Sequence, residues 1–103
     1  MSYSLSDLMK LVLAEHGDAV HLHDGERPVL EIRRQLYTIE GPPLDAGDTQ
    51  TLLRSIAPPS EFQESLRGCT AFEHRHGDSA HFHVMAFRED GSIRLELRRV
   101  TEV

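Results

Sequence analysis

Leu5, Leu8, Met9, Val12 and Leu13 recur at three- to four-residue spacing, the signature of one helix face. Ser4 or Ser6 can cap its start, and Gly17 can supply the left-handed residue that ends it. The period then drops to two. Val20 and Leu22 alternate with Ala19, His21 and His23 as in a strand, and Asp24-Gly25 and Pro28 break it. Val29, Leu30 and Ile32 begin a second extended run, and Leu36, Tyr37 and Ile39 a third, with Arg33-Arg34-Gln35 as the reversal. Gly41-Pro42-Pro43 closes this group. Asp48 can cap a helix carrying Leu52, Leu53 and Ile56, which Pro58-Pro59 stops. Ser60 to Gln63 has the form of a capping box opening a short helix to about Arg67, with Gly68 placed to end it. From Cys69 on, three alternating runs are separated by Gly77-Asp78 and Glu89-Asp90-Gly91, the last from Ser92 to Val100.

The predicted order is αβββααβββ. Consecutive short hairpins imply a largely antiparallel sheet of about six strands with helices packed on it, an α+β fold. With 103 residues and no linker or repeat, residues 1–103 form one domain.

Charge narrows the functions available. The net charge is −6, against the Lys and Arg surface that phosphate backbones require, so nucleic acid is not an expected partner. No apolar run is long enough to span a bilayer and no basic-apolar leader opens the chain, so membrane insertion is not expected and a cytoplasmic location is. Lys10, the only lysine, lies in the first helical run, and no glycine-rich loop ends in Gly-Lys-Ser/Thr. A phosphate-cradling loop is therefore missing, and with it self-sufficient ATP hydrolysis. Cys69 is the only cysteine and precedes alternating apolar residues, so a buried structural thiol is expected. Nothing in the chain groups as a catalytic constellation. A non-enzymatic domain is expected.

Histidine stands out. Six of the seven form the pairs His21/His23, His74/His76 and His81/His83, and residues two apart on a strand share a face. A two-residue hairpin at Gly77-Asp78 would set His74 opposite His81 and place His74, His76, His81 and His83 on one face. Phe82 and Val84 would then point into the core. Four neutral imidazoles there could hold Zn, Ni or Cu, the alternative being a half-exposed polar face that needs no cofactor. A metal-binding or pH-responsive sensor is the rival functional reading.

The order of motifs resembles the N-terminal domain of twitching-motility (PilT-type) ATPases, which retract type IV pili and are related to type II secretion ATPases. Val20-His21-Leu22, Gly25, Pro28, Val29-Leu30 and Ile32 are similar to that family's opening Asp-Leu-His-Leu, Gly and Pro-Pro-x-x-Arg. Phe72-Glu73 and Ala80 to Phe87 resemble its Phe-Ser-Phe and Ala-Arg-Phe-Arg-Val-Asn-Ala-Phe, and Leu97-Arg98-Arg99-Val100 its Phe-Arg-x-Ile. The resemblance implies a PAS-like domain seated on a neighbouring subunit's motor domain in a hexamer, with basic residues reaching the nucleotide bound there. His81, His83 and Arg98 fall at the candidate contact positions. His81 and His83 stand where the family has arginine, Met85 where it has asparagine, and Ala19 where it has an acidic residue. Arg33-Arg34-Gln35 likewise replaces an Asp-Gly turn. Histidine lacks the permanently charged fork of arginine, so phosphate contact is weakened and protein binding favoured. The expectation is a stand-alone interaction or regulatory module whose partner is a pilus or secretion ATPase. Self-association and a fragment of such an ATPase are the further expectations.

Overall fold

A computed structural model describes residues 3–45, 47–77, 80–89 and 92–100. Helix α1 (Leu5–Ala14) leads into strands β1 (Ala19–His23), β2 (Val29–Ile32) and β3 (Gln35–Thr38). Helices α2 (Asp48–Ile56) and α3 (Pro59–Ser65) follow, then strands β4 (Cys69–His76), β5 (Ala80–Glu89) and β6 (Ser92–Val100). The strands make one antiparallel sheet in the order β3-β2-β1-β6-β5-β4, two three-strand meanders joined along β1 and β6.

All three helices lie on one face of this sheet. Leu5, Leu8, Met9 and Val12 of α1, Leu52 and Leu53 of α2 and Phe62 of α3 are buried against alternate strand residues. Those include Val20, Leu22, Phe82, Val84, Leu95 and Leu97, each 0–1% exposed. Full burial of such side chains stabilises by about 1.5–3 kcal/mol apiece. Phe82 and Val84 thus face the core, while His81 and His83 point to the opposite side.

The ends of the helices depart from the sequence expectations in instructive ways. Ser4 caps α1 by accepting from the Asp7 N–H at 3.0 Å. At the other end the left-handed residue is His16 (φ 54°), not Gly17. The Gly17 N–H closes the turn onto the Val12 carbonyl at 2.7 Å, the geometry of a Schellman cap. Gly17 is needed for space instead: a Cβ there would lie 3.0 Å from Leu30 Cδ1 and 3.3 Å from the Glu31 carbonyl oxygen.

Gly47 (φ 89°) occupies the N-cap of α2, where it has no side chain to offer. Asp24, in the β1–β2 turn, caps the helix from 25 residues away. Its carboxylate accepts from the N–H groups of Gly47 (3.0 Å) and Thr49 (3.1 Å) and from the fully buried Thr49 hydroxyl (3.0 Å). Asp48 instead braces the loop, accepting from the Asp45 N–H at 2.6 Å. Helix α3 starts one residue before the expected capping box. Pro58 is its N-cap and Pro59 its first residue, where a missing N–H costs nothing, and no side-chain cap forms.

The β2–β3 hairpin turns on Arg33 (φ 52°) and Arg34 (φ 70°), leaving Gln35 to open β3. Positive φ at both central residues is the requirement of a type I′ turn, which Asn-Gly meets without strain and arginine does not. Asp18 steadies the bend by accepting from the Arg33 N–H at 2.8 Å. Among the described residues no helix is long and apolar enough to cross a membrane.

Candidate functional site

The sheet face opposite the helices is uncovered, and its chemistry follows from strand register. Ala19 of β1 lies between Glu31 of β2 and Arg98 of β6, paired with each. Because Ala19 carries only a methyl group, the Arg98 guanidinium reaches across it. Nη1 and Nη2 of Arg98 donate to the two Glu31 carboxylate oxygens at 3.3 and 3.1 Å, a fork-to-fork bridge. Ala19 is 0% exposed although no helix covers it. The bridge spans the gap that the small Ala19 side chain leaves.

Two more residues complete the network. Nε of Arg98 donates to Glu96 at 3.2 Å, and His21, opposite Glu96, places Nε2 2.9 Å from Glu31 and Nδ1 3.7 Å from Glu96. The hydrogen bonds from Arg98, then that with His21, hold the Glu31 carboxyl below the ordinary carboxylate range. The same partnership with Glu31, then Glu96, raises the Arg98 pKa. Both directions describe charges fixed in place. A shallow depression of about 500 Å³ runs alongside, lined also by His23, Arg27, Val29, Leu36 and Arg94.

The three residues singled out by the resemblance come together here. His83 lies directly opposite Arg98, and His81 is two residues along the same strand face. His83 Nδ1 is 3.3 Å from Glu73 of β4. Met85 continues the row half-exposed, and Phe87 ends it at 38% exposure.

The four-histidine arrangement does not form. β4 and β5 pair with His76 opposite Ala80, His74 opposite Phe82 and Glu73 opposite His83, one residue out of the expected register. With His76 paired to Ala80, three positions of sequence rather than two separate the paired ends, and Gly77 leaves β4 at φ 67°. Asp78, the second residue of the expected Gly77-Asp78 turn, lies outside the described residues, as do Ser79, Asp90 and Gly91. A one-residue slip reverses a strand's faces. His74 and His76 therefore lie on the helix side, where the His76 ring meets Phe82 edge-on at 6.5 Å. Burial, reinforced by His76, lowers the His74 pKa. Among the described residues no group of three or more His, Cys, Asp or Glu side chains is placed to hold a metal.

Cys69 is exposed, not buried, because the same register gives Phe72 to the core and turns Cys69 to the open face beside Phe87. The carboxylate–guanidinium bridge was invisible in sequence. Its partners are 67 residues apart, and only the β2-β1-β6 strand order brings them together.

No family model and no curated protein matches this sequence. Solved structures match its fold. The pilus retraction motor PilT with bound ADP superposes with a TM-score of 0.88 at 21% identity, over 99% of this chain and 30% of that one. The ATPase DotB of Legionella pneumophila gives 0.75 at 20% identity over 97% of this chain and 30% of that chain. DotB of Yersinia pseudotuberculosis gives 0.71 at 12% identity, over 97% and 31%. The chain spans less than a third of the length of each, and its fold is that of their N-terminal domain.

Proposed function

We propose that this domain is a non-catalytic docking module, and that its open sheet face receives the motor domain of a pilus-retraction or secretion ATPase in the cytoplasm. One observation carries the reading: three helices cover one face of the sheet, while the other presents an ordered Arg98–Glu31–Glu96–His21 network with Met85 and Phe87 beside it. Charges fixed before binding pay little ordering entropy on docking, and fixed positions select a partner with complementary charges.

The same geometry argues for protein over phosphate. Three Arg98 N–H groups are engaged by carboxylates, so an incoming phosphate would have to displace Glu31 while facing the charge of Glu96. His81 and His83 add no permanent positive charge. The open face is accordingly read as meeting protein, without nucleotide contact or a catalytic step. Purified chain is expected to show no ATP turnover above a denatured control.

The test is binding to the motor domains of pilus and secretion ATPases from the same genome. Met85→Asp on the open face should weaken binding at least about tenfold, since it buries a charge in the interface core. Lys10→Glu, on the exposed side of α1, should leave it unchanged. Loss with Lys10→Glu and retention with Met85→Asp would move the partner to the helix layer and overturn the reading.

A further inference from the structure

The sheet has two free edges, and they differ. β3 is four residues long and is followed by Pro42-Pro43, a short and protected edge. β4 runs for eight residues with neither proline nor glycine. The Arg88 N–H donates to the Gly68 carbonyl at 2.7 Å, which fixes the phase of the β4–β5 ladder. Even-numbered residues of β4 turn their backbone groups toward β5. The backbone N–H and C=O groups of Ala71, Glu73 and Arg75 therefore point outward along the free edge.

We propose that this edge takes a second copy of the chain, β4 against β4, extending two sheets into one across a two-fold axis at His74. Charge complementarity selects that register. With the axis at His74, Glu73 lies opposite the partner's Arg75, and by symmetry Arg75 lies opposite the partner's Glu73. Both are residues whose backbone groups face outward, so each pair also exchanges two N–H···O bonds. An axis at Glu73 would set Glu73 against the partner's Glu73, and one at Arg75 would oppose two arginines. An axis at Phe72 would leave both charges facing Ala71 and Cys69. Arg75 has the need for such a partner: among the described residues no carboxylate lies within ion-pair distance of it. The contact here is the free backbone edge of β4, whereas docking rests on β1, β5 and β6, so either can fail without the other although Glu73 and Arg75 carry their side chains on the open-face side.

The experiment is sedimentation equilibrium of the full chain over a range of concentrations. The wild type should pass from monomer to a species of twice the 11.7 kDa chain mass. Glu73→Arg should raise the dimer dissociation constant by about tenfold or more, because two opposed pairs become like-charged. Glu73→Arg combined with Arg75→Glu restores both pairs with signs exchanged and should restore the dimer. Glu73→Pro removes an outward N–H, tolerated on an edge strand, and should give a folded monomer by circular dichroism. A wild type that stays monomeric, a dimer indifferent to Glu73→Pro, or a double variant no better than Glu73→Arg would each overturn the proposal.

Discussion

The two faces of the sheet are built on different principles. The helix-covered face is held by apolar alternation, with Val20, Leu22, Phe82, Val84, Leu95 and Leu97 essentially without exposure. The open face is held by pairing across strands, with Arg98, Glu31, Glu96 and His21 fixing one another. The first face makes the domain stable whatever it meets. The second adds little stability, because partly exposed ion pairs are worth about 0–1 kcal/mol each.

Substitution should separate the faces cleanly. Phe82→Ala is expected to cost about 3–5 kcal/mol of unfolding free energy in urea titration, from lost burial and the cavity left behind. Met85→Ala, three residues along the same strand on the open face, should cost less than about 1.5 kcal/mol. Equal costs would mean that the two faces carry the core alike.

Asp24→Ala should come next, at about 1–2 kcal/mol, since it removes the cap of α2 and strands the buried Thr49 hydroxyl. Asp24→Asn should recover much of that loss, because an amide oxygen can still accept. Chemical denaturation of the two variants checks the order.

The smallest effects are those of pH, and the faces differ again. His74 has its pKa lowered from 6.5, so the unfolded chain takes up the proton first. Its contribution is complete above about pH 6.5 and is lost as pH falls through the folded value. Glu31 is lowered from 4.5, so its contribution is complete above about pH 4.5 and is lost only in more acidic solution. Thermal melts across pH should show His74→Gln flattening the upper part of this acid limb, and Glu31→Gln only the lower part. A Glu31→Gln effect at neutral pH larger than about 1 kcal/mol would contradict the modest weight given to the open face.

Legibility in the sequence followed the same division. Period-two alternation placed Phe82 and Val84 inside, and period-three-to-four spacing placed the buried face of α1, because both signals are local. The element order αβββααβββ was legible for the same reason. What failed depended on single-residue phase or on distance. One extra residue between β4 and β5 moved His74 and His76 to the helix side and Cys69 to the surface. The cap of α2 came from Asp24 rather than from Asp48 beside the helix, and the Arg98–Glu31 bridge joins residues that only the sheet order makes neighbours. A resemblance in motif order to pilus-retraction ATPases singles out His81, His83 and Arg98, the two histidines as departures at arginine positions. Their shared face follows from the β5–β6 register.

The open face is the proposed docking face. Its most direct test is a map of amide chemical-shift changes in this chain as a motor domain from the same genome is titrated in. The largest changes are expected at His21, His83, Met85, Glu96 and Arg98, with α1, α2 and α3 little affected. Changes concentrated on the helices, with β1, β5 and β6 unmoved, would contradict it.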